Sequence, residues 1–157
     1  GGVGAVNLGF TVVAMLIVDR VGRKPLLLAA SAGMGVSLLL LGGAFVLERF
    51  EGPWVLLFIL AYVASFAVAM GPVVWVVLSE IFPTRVRGTA MSVATVALWG
   101  ACFAVSQFFP RMLEQLAGKS FFVYAVMCVI AFVFVALFVP ETKGKSLEEI
   151  EQRWLRT

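Results

Sequence analysis

Five apolar runs, each close to the ~20 residues that a helix needs to cross a bilayer core, take up most of this 157-residue chain. They cover 1–18, 26–47, 53–78, 89–109 and 121–139. With 62% hydrophobic and only 13% charged residues, the chain cannot hide its apolar surface inside one small water-soluble globule. Soluble enzyme, nucleic-acid module and disordered tail are excluded on that ground. Strands are not expected, because no run alternates polar and apolar residues as a membrane barrel does. The reading is an all-α membrane protein, with five transmembrane helices over 1–139 and a distinct tail over 140–157. The first run opens without a Met and inside a helical pattern, so the chain reads as a piece of a longer protein.

The loops between runs set an orientation. Nine basic residues fall in three segments: Arg20, Arg23 and Lys24; Arg85 and Arg87; Lys143, Lys145, Arg153 and Arg156. The alternate loops carry three, Arg49, Arg111 and Lys119. The positive-inside rule puts the richer set in the cytoplasm, so the chain begins outside and its C-terminus is cytoplasmic. In the tail, Ser146 and Glu149 make a capping-box pattern. Leu147, Ile150 and Trp154 then recur at helical spacing, which predicts a short amphipathic helix under the membrane domain.

With no His in the chain, imidazole catalysis and His-ligated metal are excluded. Cys102 and Cys128 sit inside apolar runs and make neither a disulfide framework nor a zinc spacing. No cofactor, no metal and no enzymatic nucleophile–base pair is expected.

The runs differ in their polar residues. The second carries Ser31 and Ser37 plus glycines, and the fifth only Tyr124 and Cys128; both suit lipid-facing positions. The first places Asn7 and Thr11 four apart, on one face. The fourth carries a stripe of Ser92, Thr95, Trp99, Cys102 and Ser106. Such a stripe faces other helices or water rather than lipid. Helix packing and ligand contact both remain open for these residues, since small and hydroxylated side chains also join helices.

The third run holds Gly71-Pro72 near its middle. Proline removes a backbone donor and clashes with the preceding turn, so the helix should kink or unwind there. Interrupted helices at mid-membrane often mark transporter binding sites. Trp75 lies one turn beyond Gly71 on the same face, and its indole offers a flat apolar surface with one N–H donor. Such a surface suits the C–H face of a sugar ring. Charged residues also gather at the cytoplasmic helix ends. Asp19, Arg23, Glu80, Arg87 and Glu141 can form a network there.

The segments Asp19-Arg20-Val21-Gly22-Arg23-Lys24, Ser79-Glu80-Ile81-Phe82-Pro83 with Arg87-Gly88, and Pro140-Glu141-Thr142-Lys143-Gly144 resemble the sugar porter family of the major facilitator superfamily. The stretch Val6-Asn7-Leu8-Gly9-Phe10-Thr11, followed by Val18-Asp19-Arg20 and Gly22-Arg23-Lys24-Pro25, is most similar to its bacterial D-xylose:proton symporters. The resemblance implies helices eight to twelve of a twelve-helix carrier, part of a C-terminal bundle whose partner is the N-terminal half of the same protein. It implies that the eighth, tenth and eleventh helices border a central cavity while the ninth and twelfth face lipid.

Carried over, it gives Asn7, Gly71, Trp75 and Trp99 as sugar contacts. It gives Asp19, Arg23, Glu80, Arg87 and Glu141 as the gating charge network. Three positions depart from the pattern. Leu98 replaces an amide common before Trp99, Ala67 stands where animal glucose carriers have Glu, and Val74 replaces a common Pro. The implied function is secondary transport of a monosaccharide across the cell membrane, with a proton as a possible co-substrate. A carrier for polyol, inositol or another small organic solute, or a non-transporting sugar sensor, is the alternative. Membrane lipid is an expected partner and nucleic acid is not.

Overall fold

The computed structural model describes residues 2–47 and 53–144. Six α-helices follow one another: α1 (Gly2–Val21), α2 (Arg23–Val46), α3 (Trp54–Ser65), α4 (Pro72–Ile81), α5 (Arg87–Leu116) and α6 (Lys119–Phe138). A π-helical turn, Phe66–Met70, joins α3 to α4. Counted as spans, α3 through α4 form one interrupted crossing, so five helices are long and apolar enough to traverse a membrane. No strand occurs among the described residues. The amphipathic helix expected around Leu147, Ile150 and Trp154 lies outside them.

The interruption follows from one residue. Pro72 has no N–H, and its ring would crowd the carbonyl of Val68 if the α-helix simply continued. The backbone widens instead, so that the Gly71 N–H reaches the Phe66 carbonyl, five residues back, at 3.0 Å. Pro72 then sits at the first position of α4, where its missing donor costs nothing. Gly-Pro signalled a break; the widening falls just ahead of it.

The expectation that α2 faces lipid concerns its outer face only. This helix is the most enclosed span: Leu26, Leu27, Ala30, Ser31, Met34, Ser37, Leu38 and Leu41 are buried, while Val36, Leu39 and Leu40 face outward. It packs chiefly along α6 and also against α3 and the π turn. The cause is side-chain size rather than polarity. Apolar burial does not drive helices together inside lipid, but close backbone approach and dispersion do, and small residues permit both. A Cβ added at Gly42 would meet Phe122 at 3.2 Å, and one at Gly118 would meet the Phe45 Cβ at 2.5 Å.

By contrast, α5 has no buried residue. It meets α4 and α6 but neither α1 nor the π turn. Between α4 and α6, whose Cα atoms stay more than 8 Å apart, lies an apolar groove of about 990 Å³ lined by Val74, Leu78, Ile81, Ile130, Phe134 and Phe138, with Leu27 as part of its floor.

Candidate functional site

The four expected sugar contacts occupy two regions. α1, carrying Asn7, packs against α3, the π turn and α4, which carry or adjoin Gly71 and Trp75. Asn7 is exposed, Gly71 and Trp75 are half-buried, and no hydrogen bond among the described residues engages the Asn7 amide or the Trp75 indole. Trp99 is 65% exposed on α5. Because α5 does not reach α1 or the π turn, Trp99 stands apart from the other three within this chain. None of the four lines the α4–α6 groove or a smaller cavity of about 230 Å³ walled by Tyr62, Phe109, Phe121 and Tyr124.

The hydroxyls of the expected polar faces turn back on their own helices. Thr11 donates to the Asn7 carbonyl at 2.8 Å, Ser92 to Gly88 at 2.9 Å and Thr95 to Met91 at 2.7 Å. Each is satisfied one turn back, so the stripe on α5 is less demanding of a polar neighbour than its composition suggests. The Asn7 amide has no such local outlet.

At the other end of the bundle the charged residues come together. α1 and α2 are joined by Gly22 alone, at φ 103° and ψ 162°, a conformation open essentially only to glycine. The reversal brings Arg23 back onto α1 and against α4. Its guanidinium lies 2.9 Å from the Glu80 carboxylate and 3.1 Å from Asp19. Asp19 is mostly exposed, so that pair contributes little. Glu80 is the better enclosed partner, and its second oxygen accepts from the Thr142 hydroxyl.

Among the described residues, Glu141 pairs with no arginine side chain. Its two oxygens accept the backbone N–H groups of Arg23 and Lys24 at 3.1 Å each, and Oε1 also accepts that of Lys143 at 2.9 Å. Those first two are orphan donors of the first turn of α2, which has no cap of its own from Gly22. The carboxylate thus caps α2 from more than a hundred residues away and meets the positive end of its dipole.

Lysines do the converse. Lys24 Nζ donates to the Ala136 carbonyl in the last turn of α6 at 2.8 Å, and Lys143 Nζ donates to the Arg20 carbonyl in the last turn of α1. Of the five residues expected in the charge network, the structure joins Asp19, Arg23 and Glu80 directly and holds Glu141 beside them. Arg87 is separate. Its Nε donates to the Phe82 carbonyl across the α4–α5 turn at 3.3 Å, and its buried Nη2 has no partner among the described residues.

Partial burial opposes the charged form of Glu141, yet the N–H groups of Lys143, Arg23, Lys24 and Thr142 together hold its carboxyl below the ordinary value of 4.5. A depressed carboxyl contributes stability that is fully present above its unfolded value and is lost as pH falls through the folded one. The cap is therefore expected to persist down to about pH 4.5 and to weaken below it. Thermal unfolding of the solubilised full-length protein, parent against Glu141→Gln, checks this. The two should converge in acid, and a gap independent of pH would sink the assignment.

The Sugar (and other) transporter family pattern matches residues 1–154. This chain belongs to the sugar transporter family. It is 43% identical to an arabinose-proton symporter of Bacillus subtilis over 98% of its own length and 33% of the relative's. It is 46% identical to the D-xylose-proton symporter of Escherichia coli, over 97% of this chain and 32% of that one. The fold agrees. The solved xylose transporter XylE of E. coli in an inward-open conformation superposes with a TM-score of 0.90 at 48% identity, covering 97% of this chain and 34% of that one. This sugar transporter chain thus spans about a third of the length of the relatives it matches.

Its motifs at 19–24 and 140–144 now have a physical account. One supplies the glycine reversal and the uncapped helix start, and the other supplies the carboxylate that caps it. Thr142 and the two lysine caps were not expected from the sequence. The signal that could have found the lysines is the charge sign of residues bordering helix ends, which the hydropathy pattern ignores; no such signal marks Thr142.

Proposed function

We propose that the protein containing this chain is a secondary transporter that moves a monosaccharide, a pentose or hexose such as xylose or glucose, across the cell membrane by alternating access with proton coupling. The observation that carries it is the match, at 43–46% identity over nearly the whole chain, to proton symporters of arabinose and xylose. Asn7, Gly71, Trp75 and Trp99 are the proposed sugar contacts. Selectivity then rests on hydrogen bonds to hydroxyls and on the indole faces. Asp19, Arg23, Glu80, Arg87 and Glu141 are the proposed gating network, stabilising the state in which the cytoplasmic side is shut. The partner is the N-terminal half of the same carrier. The unfilled apolar groove between α4 and α6 and the bare face of α5 support further membrane helices against this bundle, with lipid around its outer faces.

The test is uptake of labelled xylose by the full-length protein in proteoliposomes, with and without an inward proton gradient. Saturable uptake, accelerated by the gradient and competed by unlabelled sugar, is expected. No uptake of any sugar, with saturable uptake of labelled xylitol or inositol instead, would move the protein to the polyol carriers. The charged end and residues 140–157 are proposed to be cytoplasmic, supported by the nine basic residues there against three elsewhere. Single cysteines at 119 and 143 should react with an impermeant reagent on whole cells at 119 only.

A further inference from the structure

Glu141 and Thr142 are neighbours in the short segment that leaves α6, and they reach opposite ways. Glu141 holds the segment to the first turn of α2 through the N–H groups of Arg23 and Lys24. Thr142, only 4% exposed though it lies outside any helix, donates its hydroxyl to Glu80 in the last turn of α4. Among the described residues this is the one polar link from that segment to α4. No Cα of α4 comes within 8 Å of one in α6. Glu80 is held by two ligands, Arg23 on one oxygen and Thr142 on the other.

We propose that Thr142 is a positioning residue that latches the charged end of α4, through Glu80, to the segment leaving α6. The lever is α4 itself. It is 10 residues long, ~15 Å at the helical rise, and its other end is the π turn and Gly71. A helix interrupted at one end and released at the other can tilt as a unit. Arg23 alone does not prevent this, because its long side chain can follow Glu80. Thr142 is short, with its hydroxyl only one bond beyond Cβ, so that hydroxyl cannot follow. The latch joins three helix ends, those of α2, α4 and α6, through two adjacent residues. In the sugar-carrier reading, on which this inference builds, opening the latch would accompany opening of the charged side.

The test uses the full-length protein with Cys102 and Cys128 replaced and spin labels at positions 21 and 84, both exposed. Thr142→Val keeps shape and removes the donor; Thr142→Ser keeps the donor and removes a methyl. The valine variant is expected to raise the population of longer 21–84 distances about tenfold, while the serine variant matches the parent. Identical distributions in valine and parent would overturn the latch, and so would a serine variant that behaves like valine. If the valine variant does not accumulate, Thr142→Ala takes its place: a shift to longer distances supports the latch and a parent-like distribution overturns it. The readout needs no sugar. A parent that binds none would therefore sink the transport reading without touching this comparison.

Discussion

Gly22→Ala is expected to destabilise the bundle by ~2–4 kcal/mol, from backbone strain and a displaced charge-assisted cap. At φ 103° a side chain is strained whatever space surrounds it. There is no space either, because an added Cβ would stand 2.7 Å from Glu141 Oε2. Glu141 must then retreat, leaving the Arg23 and Lys24 N–H groups without their acceptor. Gly43, within α2 and with nothing within 4 Å of an added Cβ, is the control. Its change to Ala should be neutral or stabilise by roughly 0.5–1 kcal/mol through helix propensity. Unfolding midpoints of the two variants in detergent check the contrast. Equal midpoints would mean that the reversal tolerates another conformation.

Trp75→Ala in the full-length protein is expected to weaken sugar binding by ~1–3 kcal/mol, about 5- to 150-fold, the range for losing a large aromatic contact. Trp75 is half-buried on α4, one turn past Gly71, beside the helix that carries Asn7. An indole there can lie against the C–H face of a ring while the Asn7 amide takes hydroxyls. Equilibrium binding on purified protein measures the loss. Unchanged affinity with intact expression would make Trp75 a packing residue between α4 and its neighbours. Trp99→Ala is a useful companion, because α5 meets the rest of the bundle only through α4 and α6.

How much of this was legible in the sequence depends on what each signal reports. Apolar runs report the membrane, and all five crossings are where hydropathy put them. Helix ends are a different quantity. The fourth run stopped at 109 because Pro110 and Arg111 follow, yet α5 continues to Leu116. A proline forfeits one hydrogen bond, and polar residues beyond the bilayer core remain good helix formers. Polarity says little of enclosure within the bundle. The second run reads as lipid-facing because it lacks strongly polar groups, and its outer face is indeed apolar, while its serines and glycines let α6 and α3 approach the inner one. The charged end was legible as a gathering of residues but not as a set of contacts. Arg23–Glu80 is an ion pair, as opposite charges suggest. Glu141 instead binds main chain, and no side-chain pattern announces a carboxylate that caps a helix 118 residues upstream. The residues proposed as sugar contacts were picked out by polarity, interruption and resemblance together; Asn7, Gly71 and Trp75 fall on elements that pack against one another, and Trp99 falls on α5, which does not pack against α1.

That long-range cap has a bearing on how the chain is made. During synthesis α1 and α2 leave the ribosome well before residues 140–144, so the cap on the start of α2 must wait until the residues after α6 emerge. Throughout that interval its leading amides rely on water or headgroups, and the Gly22 hinge has nothing closing over it. The segment after α6 therefore acts as a completion signal for this end of the bundle, sealing it only once the five crossings before it are made. Protease access at Arg20 and Arg23 in arrested chains of increasing length should fall once Glu141 is free of the ribosomal tunnel, and not before.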